Sequence, residues 1–498
     1  MSDLMNFWAL VVVILYIINL ISMSSLLFFE KKPSSVTLAW LMVFIFIPIL
    51  GFIFYFFFGS TTKLKMLSKK YTEKAIEVQY DKVLWDNYKK IDQDKIEFND
   101  DKVDNYKDII LMNSSNAESI YTQDNTVKIL VNANEKYAAL FKDIENAKES
   151  INVLYFIIKG KDKSGKMFIS LLAKKARQGV EVRLIYDSLG CLKTTYSDFK
   201  PLIDAGGMVY KYLPSIIKTC VEANYRMHRK MVIIDGVTAY TGGINIGDDY
   251  LGLDKRITPW RDTSIKITGS AVQSIQLRFV YDWLYIDMQL NPKKAFKSKI
   301  IDPIHQEMYF KNSINEGKSG VQIISSGPDC DFSIVKDQYI KLISSAKDYL
   351  YIQTPYFVPD ETLLNVLRIA AHSGVDIRVM IPGIPDKKFV YYITLSYIEY
   401  LLENGIRVYT HKGFVHAKTF VLDDVITSIG TANLDMRSFD LDYELNAVIY
   451  DTDFAKESRE IFLNDVNDCE EIFLDDYKKR SRLQKAKESF FRIVAPLT

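Results

Sequence analysis

The chain has 498 residues, too many for a single hydrophobic core and enough for two domains with additional segments. Hydrophobic residues make up 48% of the sequence and charged residues 25%, which is typical of a globular protein. Lysine and arginine number 63 against 62 aspartate and glutamate, and this net charge of +1 disfavours a nucleic-acid-binding protein.

Two uncharged stretches near the N-terminus are each long enough to cross a bilayer as a helix. They run from Phe7 to Phe29 and from Val36 to Phe58, each longer than the roughly 20 residues that span the hydrocarbon core. A cleaved signal peptide is the alternative for the first stretch, but only Asp3 is charged ahead of it and a second stretch follows at once. We therefore predict an uncleaved transmembrane helical hairpin over residues 1–60, with spans at about 7–29 and 36–58.

The distribution of lysine predicts the orientation of this hairpin. Lys31 and Lys32 lie between the spans, whereas four lysines follow the second span within residues 63–70. By the positive-inside tendency, both termini and the long C-terminal body are expected on the cytoplasmic side of the membrane. The cysteines fit a reducing compartment because they lie far apart and form no C-x-x-C pair; they are Cys191, Cys220, Cys330 and Cys469.

The body of the chain contains an internal repeat. Residues 61–124 are polar, and we predict a connecting region with short helical pieces there. Beyond it, an Ala-Lys pair precedes an apolar run at 151–156 and again at 349–352, and the runs 179–185 and 374–380 also correspond. This repetition predicts two copies of one fold, over residues 125–315 and 316–498.

Within each copy, helical and strand patterns alternate. Residues 171–178 and 363–372 carry apolar side chains at helical spacing and end at Gly179 and Ser373-Gly374, where helices commonly stop. The β-branched runs that follow are continuously apolar, as in strands that are buried on both faces. Each copy is therefore predicted to belong to the α/β fold class.

The repeat carries one motif twice: a His, a Lys two residues later, an Asp seven later, a Gly fourteen later and an Asn seventeen later. The chain has only five histidines, for which about 0.05 chance matches to H-x-K-x4-D are expected. A duplicated reactive group predicts one site that is built from two halves and uses two imidazoles. The copies are His228, Lys230, Asp235, Gly242 and Asn245, and His416, Lys418, Asp423, Gly430 and Asn433.

These residue types suit a phosphate group. The segments 231–234 and 419–422 are predicted strand cores, so the His and Lys of each motif are expected to project from the same face. A lysine can offset anionic oxygens while a histidine attacks the phosphorus or transfers a proton. Asn245 and Asn433 follow glycines in the next turn and are expected to donate hydrogen bonds to the same oxygens.

A histidine that acts as a nucleophile must be neutral, with one ring nitrogen held by an acceptor. A carboxylate lies downstream of the motif in each half, Asp262 after His228 and Glu444 after His416. We predict that each carboxylate orients the histidine of its own half. A plain surface carboxylate is the alternative at both positions.

The paired His-Lys-Asp motifs resemble those of the phospholipase D superfamily, and the resemblance covers the chain from about residue 125 to the C-terminus. Three sequence segments in the second half, together with the two predicted N-terminal spans, resemble more specifically those of the bacterial cardiolipin synthases. In one place the chain departs from the family pattern, since Asp442 stands where an Asn is expected two residues before Glu444. The segments that carry the resemblance are Ile352–Pro359, Gly413–Lys418 and Gly430–Phe439.

The resemblance implies two phospholipase D-like α/β domains related by pseudo-twofold symmetry, in a bacterial cell membrane. It also implies phosphatidyl transfer from one phosphatidylglycerol to another through a phosphohistidine, with glycerol released. Family precedent favours His228 as the nucleophile and His416 as the acid and base, although the repeat itself does not decide between them. Asp235 and Asp423 are counted with the catalytic set but are expected to hold local geometry. No metal or other cofactor is expected, because Lys230 and Lys418 supply positive charge.

Other functions use parts of the same pattern. A phospholipase D-type hydrolase or another phosphatidyltransferase would use the same residues, and no residue here decides whether water reaches the intermediate. The membrane spans and near-neutral charge disfavour a nuclease of the superfamily. A catalytically dead membrane scaffold is the non-enzyme alternative, but the intact Lys and Asn of both motifs argue against it.

The C-terminal segment combines six basic side chains between Lys478 and Lys487 with the apolar residues that follow, such as Phe490 and Phe491. It could lie on an anionic membrane leaflet or pack as a helix on the second domain, and the sequence leaves both open.

Overall fold

A mixed sheet of sixteen strands runs through both halves of the described chain. The computed structural model describes residues 2–28, 34–47, 51, 55, 86–93, 95–213, 224–290, 308–311 and 317–495. Two short pairs, β12 with β18 and β8 with β15, lie outside this sheet. The strands are β1 (Thr122–Val131), β2 (Ser150–Tyr155), β3 (Glu181–Asp187), β4 (Met208–Tyr212), β5 (Arg226–Met227), β6 (Met231–Ile234), β7 (Thr238–Gly242), β8 (Trp260–Arg261), β9 (Thr263–Thr268), β10 (Ser319–Ser326), β11 (Tyr349–Gln353), β12 (Phe357–Val358), β13 (Asp376–Pro382), β14 (Arg407–His411), β15 (Phe414–Val415), β16 (Thr419–Leu422), β17 (Ile426–Gly430), β18 (Leu434–Asp435), β19 (Asp442–Tyr450) and β20 (Cys469–Ile472).

The strand order repeats between the two halves, as the sequence repeat predicts. The first half reads β9-β7-β6-β2-β3-β4 and the second reads β19-β17-β16-β11-β13-β14. In each half the last three strands are parallel, and the strand after the His-Lys motif pairs antiparallel with the first of them. The antiparallel neighbours β1 and β10 join the halves in the middle. The α/β fold class is therefore confirmed.

Helices cover the sheet and bury its apolar faces. One central cluster draws residues from both halves, including Trp283 and Leu445, so the halves share a core. The helices are α1 (Ser2–Phe28), α2 (Ser34–Phe46), α3 (Lys107–Asn116), α4 (Asn132–Asn146), α5 (Lys163–Arg177), α6 (Lys200–Asp204), α7 (Ala271–Leu290), α8 (Ile334–Ser345), α9 (Glu361–His372), α10 (Lys388–Glu403), α11 (Met436–Asp440), α12 (Thr452–Val466), α13 (Leu474–Lys478) and α14 (Arg482–Val494).

The predicted elements around the motifs are confirmed. The helical patterns at 171–178 and 363–372 belong to α5 and α9, which end directly before Gln178 and Ser373. Gly179 and Gly374 then take φ values of +90° and +98°, a left-handed conformation that favours glycine. The strand cores after the motifs are β6 and β16, within the predicted bounds.

The N-terminal region contains one helix that is long and apolar enough to cross a membrane. It is the part of α1 from Phe7 to Phe28, with a mean hydropathy of 2.5, and most of its side chains face outward. Of the second predicted span, the structure describes residues 36–47, 51 and 55, and α2 is too short by itself to cross. The rest of that span, and the lysines on which the orientation depends, lie outside the described residues.

The described end of the connecting region packs against the second half. A 3₁₀ turn at Asp101–Tyr106 leads into α3, and Tyr106 and Ile109 are buried in the core of the second half. The Tyr106 hydroxyl donates to Asp423 Oδ2 at 2.7 Å. This part of the region is therefore built into the fold.

Candidate active site

Each motif histidine is held by a carboxylate from the opposite half of the chain. His228 Nδ1 lies 2.8 Å from Glu444 Oε1, and His416 Nδ1 lies 2.7 Å from Asp262 Oδ2. All four side chains are buried. The structure thus brings the two histidines and two carboxylates together in crossed pairs.

Two short strands place these crossed pairs. Strand β5, directly before His228, pairs in parallel with the start of β19, which carries Glu444. Strand β15, directly before His416, pairs in parallel with β8, which directly precedes Asp262. The His416 amide also donates to the Arg261 carbonyl at 2.6 Å.

The prediction that each carboxylate serves the histidine of its own half is therefore wrong. Asp262 and Glu444 are both histidine partners, but with the partners exchanged. The physical reason is that β5 and β15 each leave their own half and pair with a strand of the other half. These pairings join residues more than 150 positions apart, and sequence spacing does not report them.

Both histidines are neutral in the free protein and carry the proton on Nδ1. Burial lowers the pKa of His228 to about 4, outweighing Glu444, which acts to raise it. Burial, reinforced by Lys418, likewise lowers the pKa of His416 to about 4. The two carboxylates have lowered pKa values, because the contacts to the histidines and lysines outweigh the effect of burial, so they are ionised acceptors. The Nε2 atom of each ring therefore has a free lone pair.

The two carboxylates are held by different groups. Glu444 accepts hydrogen bonds from the Thr431 hydroxyl and, at 2.8 Å, from the Ser438 hydroxyl. Asp262 Oδ1 instead accepts from the Thr263 amide at 2.7 Å and lies against Gly243, where an added Cβ would be 2.1 Å away. Sequence reasoning missed Thr431 and Ser438, because a hydroxyl near a motif carries no signal until the strands are paired.

The motif lysines are buried beside the histidines and concentrate positive charge there. Lys230 Nζ donates to the His228 carbonyl and Lys418 Nζ to the His416 carbonyl, each at 2.6 Å. Lys230 directly precedes β6 and Lys418 directly precedes β16. The prediction that the His and Lys of each motif lie on the strand itself therefore differs from the structure. Burial lowers the pKa of Lys230 to about 8 and that of Lys418 to about 7, although nearby carboxylates raise both. An anion between the two ammonium groups would stabilise their charged forms.

The motif asparagines are engaged inside the protein. Asn245 Oδ1 accepts from the Ile157 amide and its Nδ2 donates to the Tyr250 hydroxyl. Asn433 lies beside Asp435, and its buried Oδ1 has no hydrogen-bond partner among the described residues. Hydrogen bonds from these amides to a substrate therefore stay a prediction.

Asp235 and Asp423 bind backbone at the far ends of β6 and β16, so their place in the catalytic set is not supported by the geometry. Asp423 accepts from the amides of residues 347–349 at 2.8–2.9 Å, and Asp235 accepts from those of residues 148–150. The φ values are +53° for Asp235 and +50° for Asp423, a left-handed conformation that aspartate tolerates better than most residues. The expectation that they hold local geometry fits these contacts.

Asp423→Ala is expected to destabilise the fold by about 2–4 kcal/mol, because it leaves three amides and the Tyr106 hydroxyl without their acceptor. The thermal unfolding midpoint of the full chain in detergent measures this loss. Asp468→Ala is the control, since its side chain is 71% exposed. An unchanged midpoint for Asp423→Ala would contradict the structural role.

Asp442 is a buried carboxyl next to the pair formed by His228 and Glu444. One of its carboxylate oxygens lies within 4.8 Å of a ring nitrogen of His228 and of a carboxylate oxygen of Glu444. Its Oδ1 is 3.4 Å from Arg437 Nε but has no hydrogen-bond partner among the described residues. Burial raises the pKa of Asp442 to about 8, with Glu444 and Asp435 adding to the effect and Arg437 opposing it. These three groups could ligate a cation, but Lys230, Lys418 and Arg437 make the surroundings more favourable to an anion.

Asp442→Asn is expected to stabilise the protein at pH 8 and to have little effect near pH 4. A carboxyl whose pKa is raised on folding binds more protons in the native state, so stability falls as pH rises from about 4 to about 8. The amide cannot ionise and removes that fall. Unfolding midpoints of both proteins across this pH range measure it, and a constant difference between them would contradict the assignment.

Comparison with known proteins identifies the family. Residues 140–271 and 339–466 match the family described as "Cardiolipin synthase, PLD-like domain", and residues 4–60 match "Phospholipase D-nuclease N-terminal". Among solved structures, a phosphatidylserine synthase from Haemophilus influenzae Rd KW20 has a similar fold, with a TM-score of 0.57 and 17% identity. That likeness covers 76% of this chain and 95% of the other.

Full-length relatives narrow the family further. The chain is 40% identical to "Major cardiolipin synthase ClsA" of Bacillus subtilis (strain 168), over 99% of this chain and 100% of that protein. It is 39% identical to a cardiolipin synthase of Listeria monocytogenes serotype 4a (strain HCC23), with the same coverage. The chain therefore belongs to the bacterial cardiolipin synthases with phospholipase D-like domains, a family of phosphatidyltransferases.

Proposed function

We propose that this chain makes cardiolipin from two molecules of phosphatidylglycerol, through a phosphohistidine and with release of glycerol. The observation that carries the proposal is the pair of crossed histidine–carboxylate contacts, each beside a buried lysine. Two neutral imidazoles with ionised partners suit a reaction with one nucleophile and one proton carrier.

In the first step, His228 Nε2 attacks the phosphorus of one phosphatidylglycerol, and the bond from phosphorus to the glycerol headgroup oxygen breaks. Glu444 accepts the Nδ1 hydrogen bond and stabilises the positive charge that the ring gains. His416 donates a proton to the leaving glycerol oxygen. The phosphodiester's negative charge raises the pKa of His416 above its value in the free protein, so that the ring can hold this proton.

In the second step, the neutral His416 takes a proton from the headgroup hydroxyl of a second phosphatidylglycerol. The resulting oxygen nucleophile attacks the phosphorus, the bond to His228 breaks, and cardiolipin is formed. Lys230 and Lys418 offset the charge on the phosphoryl oxygens in both steps. Phe156 and Trp260 lie against the imidazoles of His228 and His416, with ring centroids 4.9 and 5.2 Å away.

The membrane arrangement is part of the same proposal. We infer that α1 and the segment that begins with α2 form a transmembrane hairpin, with a cytoplasmic body and two domains related by a pseudo-twofold axis. The contact from Asn19 Nδ2 to the Phe44 carbonyl at 3.3 Å supports the hairpin. The repeated strand order and the reciprocal strand exchange support the twofold relation.

The test is to incubate the purified full-length protein in detergent with labelled phosphatidylglycerol and separate the lipids. Cardiolipin and glycerol in equal amounts are expected. Phosphatidic acid alone would make the chain a phospholipase D-type hydrolase, and no turnover by an intact, folded protein would favour the scaffold. Labelled nucleic acid serves as the negative control substrate.

A further inference from the structure

The C-terminal helix α14 has two faces, and the structure settles how one of them is used. Its inner face packs on α10: Phe491 stacks on Tyr392 with ring centroids 5.6 Å apart and an angle of 8° between the planes. The Arg492 guanidinium lies 4.7 Å from the Tyr397 ring centroid. Glu488 is buried and accepts from Arg480 at 3.0 Å. These contacts fix the rotation of the helix about its axis.

The outer face of α14 is apolar and exposed. Leu483, Phe490 and Ile493 are 68%, 63% and 57% exposed, and their spacing of seven and then three residues places them on one side of a helix. Large apolar side chains that are aligned in this way are unusual on a surface that faces only water.

Basic side chains flank this outer face. Residues 478–494 contain seven lysines and arginines and one acidic residue, in a chain whose net charge is only +1. Lys478, Lys479 and Arg480 are neutralised by ion pairs with acidic neighbours. At helical spacing Arg482 and Lys487 lie on the two sides of the apolar stripe, and neither forms an ion pair with the described residues, although Lys487 Nζ also lies 5.9 Å from the Tyr392 ring centroid. The charge beside the stripe is therefore positive.

We propose that the outer face of α14 is an interfacial helix that docks the catalytic body on the surface of an anionic bilayer. An apolar stripe flanked by basic residues is the pattern of helices that lie in the plane of a membrane, with the stripe in the acyl region and the cations at anionic headgroups. The inference uses the membrane anchorage from the proposed function but not the reaction. Under this proposal both alternatives for the C-terminal segment hold at once, because one face of α14 packs on the second half and the other face contacts lipid.

The test places a photoreactive benzoylphenylalanine at position 490 of the full chain, reconstituted in nanodiscs that contain phosphatidylglycerol. Illumination is expected to cross-link position 490 to lipid at least tenfold more than the same residue at position 369, where Ile369 is 56% exposed in the last turn of α9. Nanodiscs of phosphatidylcholine alone are expected to lower the cross-linking severalfold, because the basic flank then loses its partner.

Two outcomes would overturn the proposal: equal lipid cross-linking at positions 490 and 369, or cross-linking of position 490 to a second copy of the protein. The same measurement in a His228→Ala background is expected to be unchanged. Failure of the docking proposal is thereby distinguished from failure of the proposed reaction.

Discussion

His228→Ala is expected to abolish cardiolipin formation, with a loss of at least about a thousandfold, because it removes the imidazole that forms the covalent intermediate in the proposed reaction. The loss should be the same for phosphatidylglycerol and for a phosphatidyl ester of p-nitrophenol, since both need the nucleophile. Initial rates of lipid formation and of p-nitrophenol release measure it. His372→Ala is the control, because His372 is exposed and its ring forms a hydrogen bond with Asn404.

His416→Ala separates the two histidine roles. It is expected to stop turnover of phosphatidylglycerol but to retain a burst of p-nitrophenol close to one equivalent, since this leaving group departs without a proton donor. The labelled phosphoryl group should then remain on His228 and be lost in acid. A burst that survives in His228→Ala and not in His416→Ala would reverse the two roles.

Glu444→Gln and Asp262→Asn are expected to lower the rate of cardiolipin formation by about 10²–10⁴-fold, and they should differ in which step they impair. Glu444 holds His228, so Glu444→Gln should also slow the p-nitrophenol burst. Asp262 holds His416, so Asp262→Asn should leave that burst nearly intact. Rapid-mixing measurements of the burst rate make the comparison.

This pair of variants tests the crossing of the two halves directly. If each carboxylate served the histidine of its own half, Asp262→Asn would slow the burst and Glu444→Gln would spare it. Ser438 donates a hydrogen bond to Glu444 Oε1, so Ser438→Ala is expected to slow the p-nitrophenol burst as well, but by less than Glu444→Gln does. An intact burst in Glu444→Gln would contradict the crossed assignment.

Much of the fold could be predicted because it rests on local patterns. The helices that end at Gly179 and Gly374 and the strands at 231–234 and 419–422 depend on apolar spacing and turn residues within a few positions. The repeat is also visible in the sequence, since both copies kept the same order of elements. Positions of Asp235 and Asp423 after a strand are local too, and their backbone contacts agree with the expected geometric role.

The sequence by itself determined the repeated α/β architecture, the apolar N-terminal helix and the two sets of His and Lys in the candidate site. Only the tertiary structure decided which carboxylate meets which histidine, which hydroxyls hold Glu444, and that Asp442 is buried beside them. The physical reason is that the histidine–carboxylate contacts arise where β5 and β15 cross to the other half, whereas the hydroxyl contacts to Glu444 form within the second half once β17 and β19 are paired. Pairing between such distant strands follows from packing around a shared core, and residue spacing along the chain does not encode it.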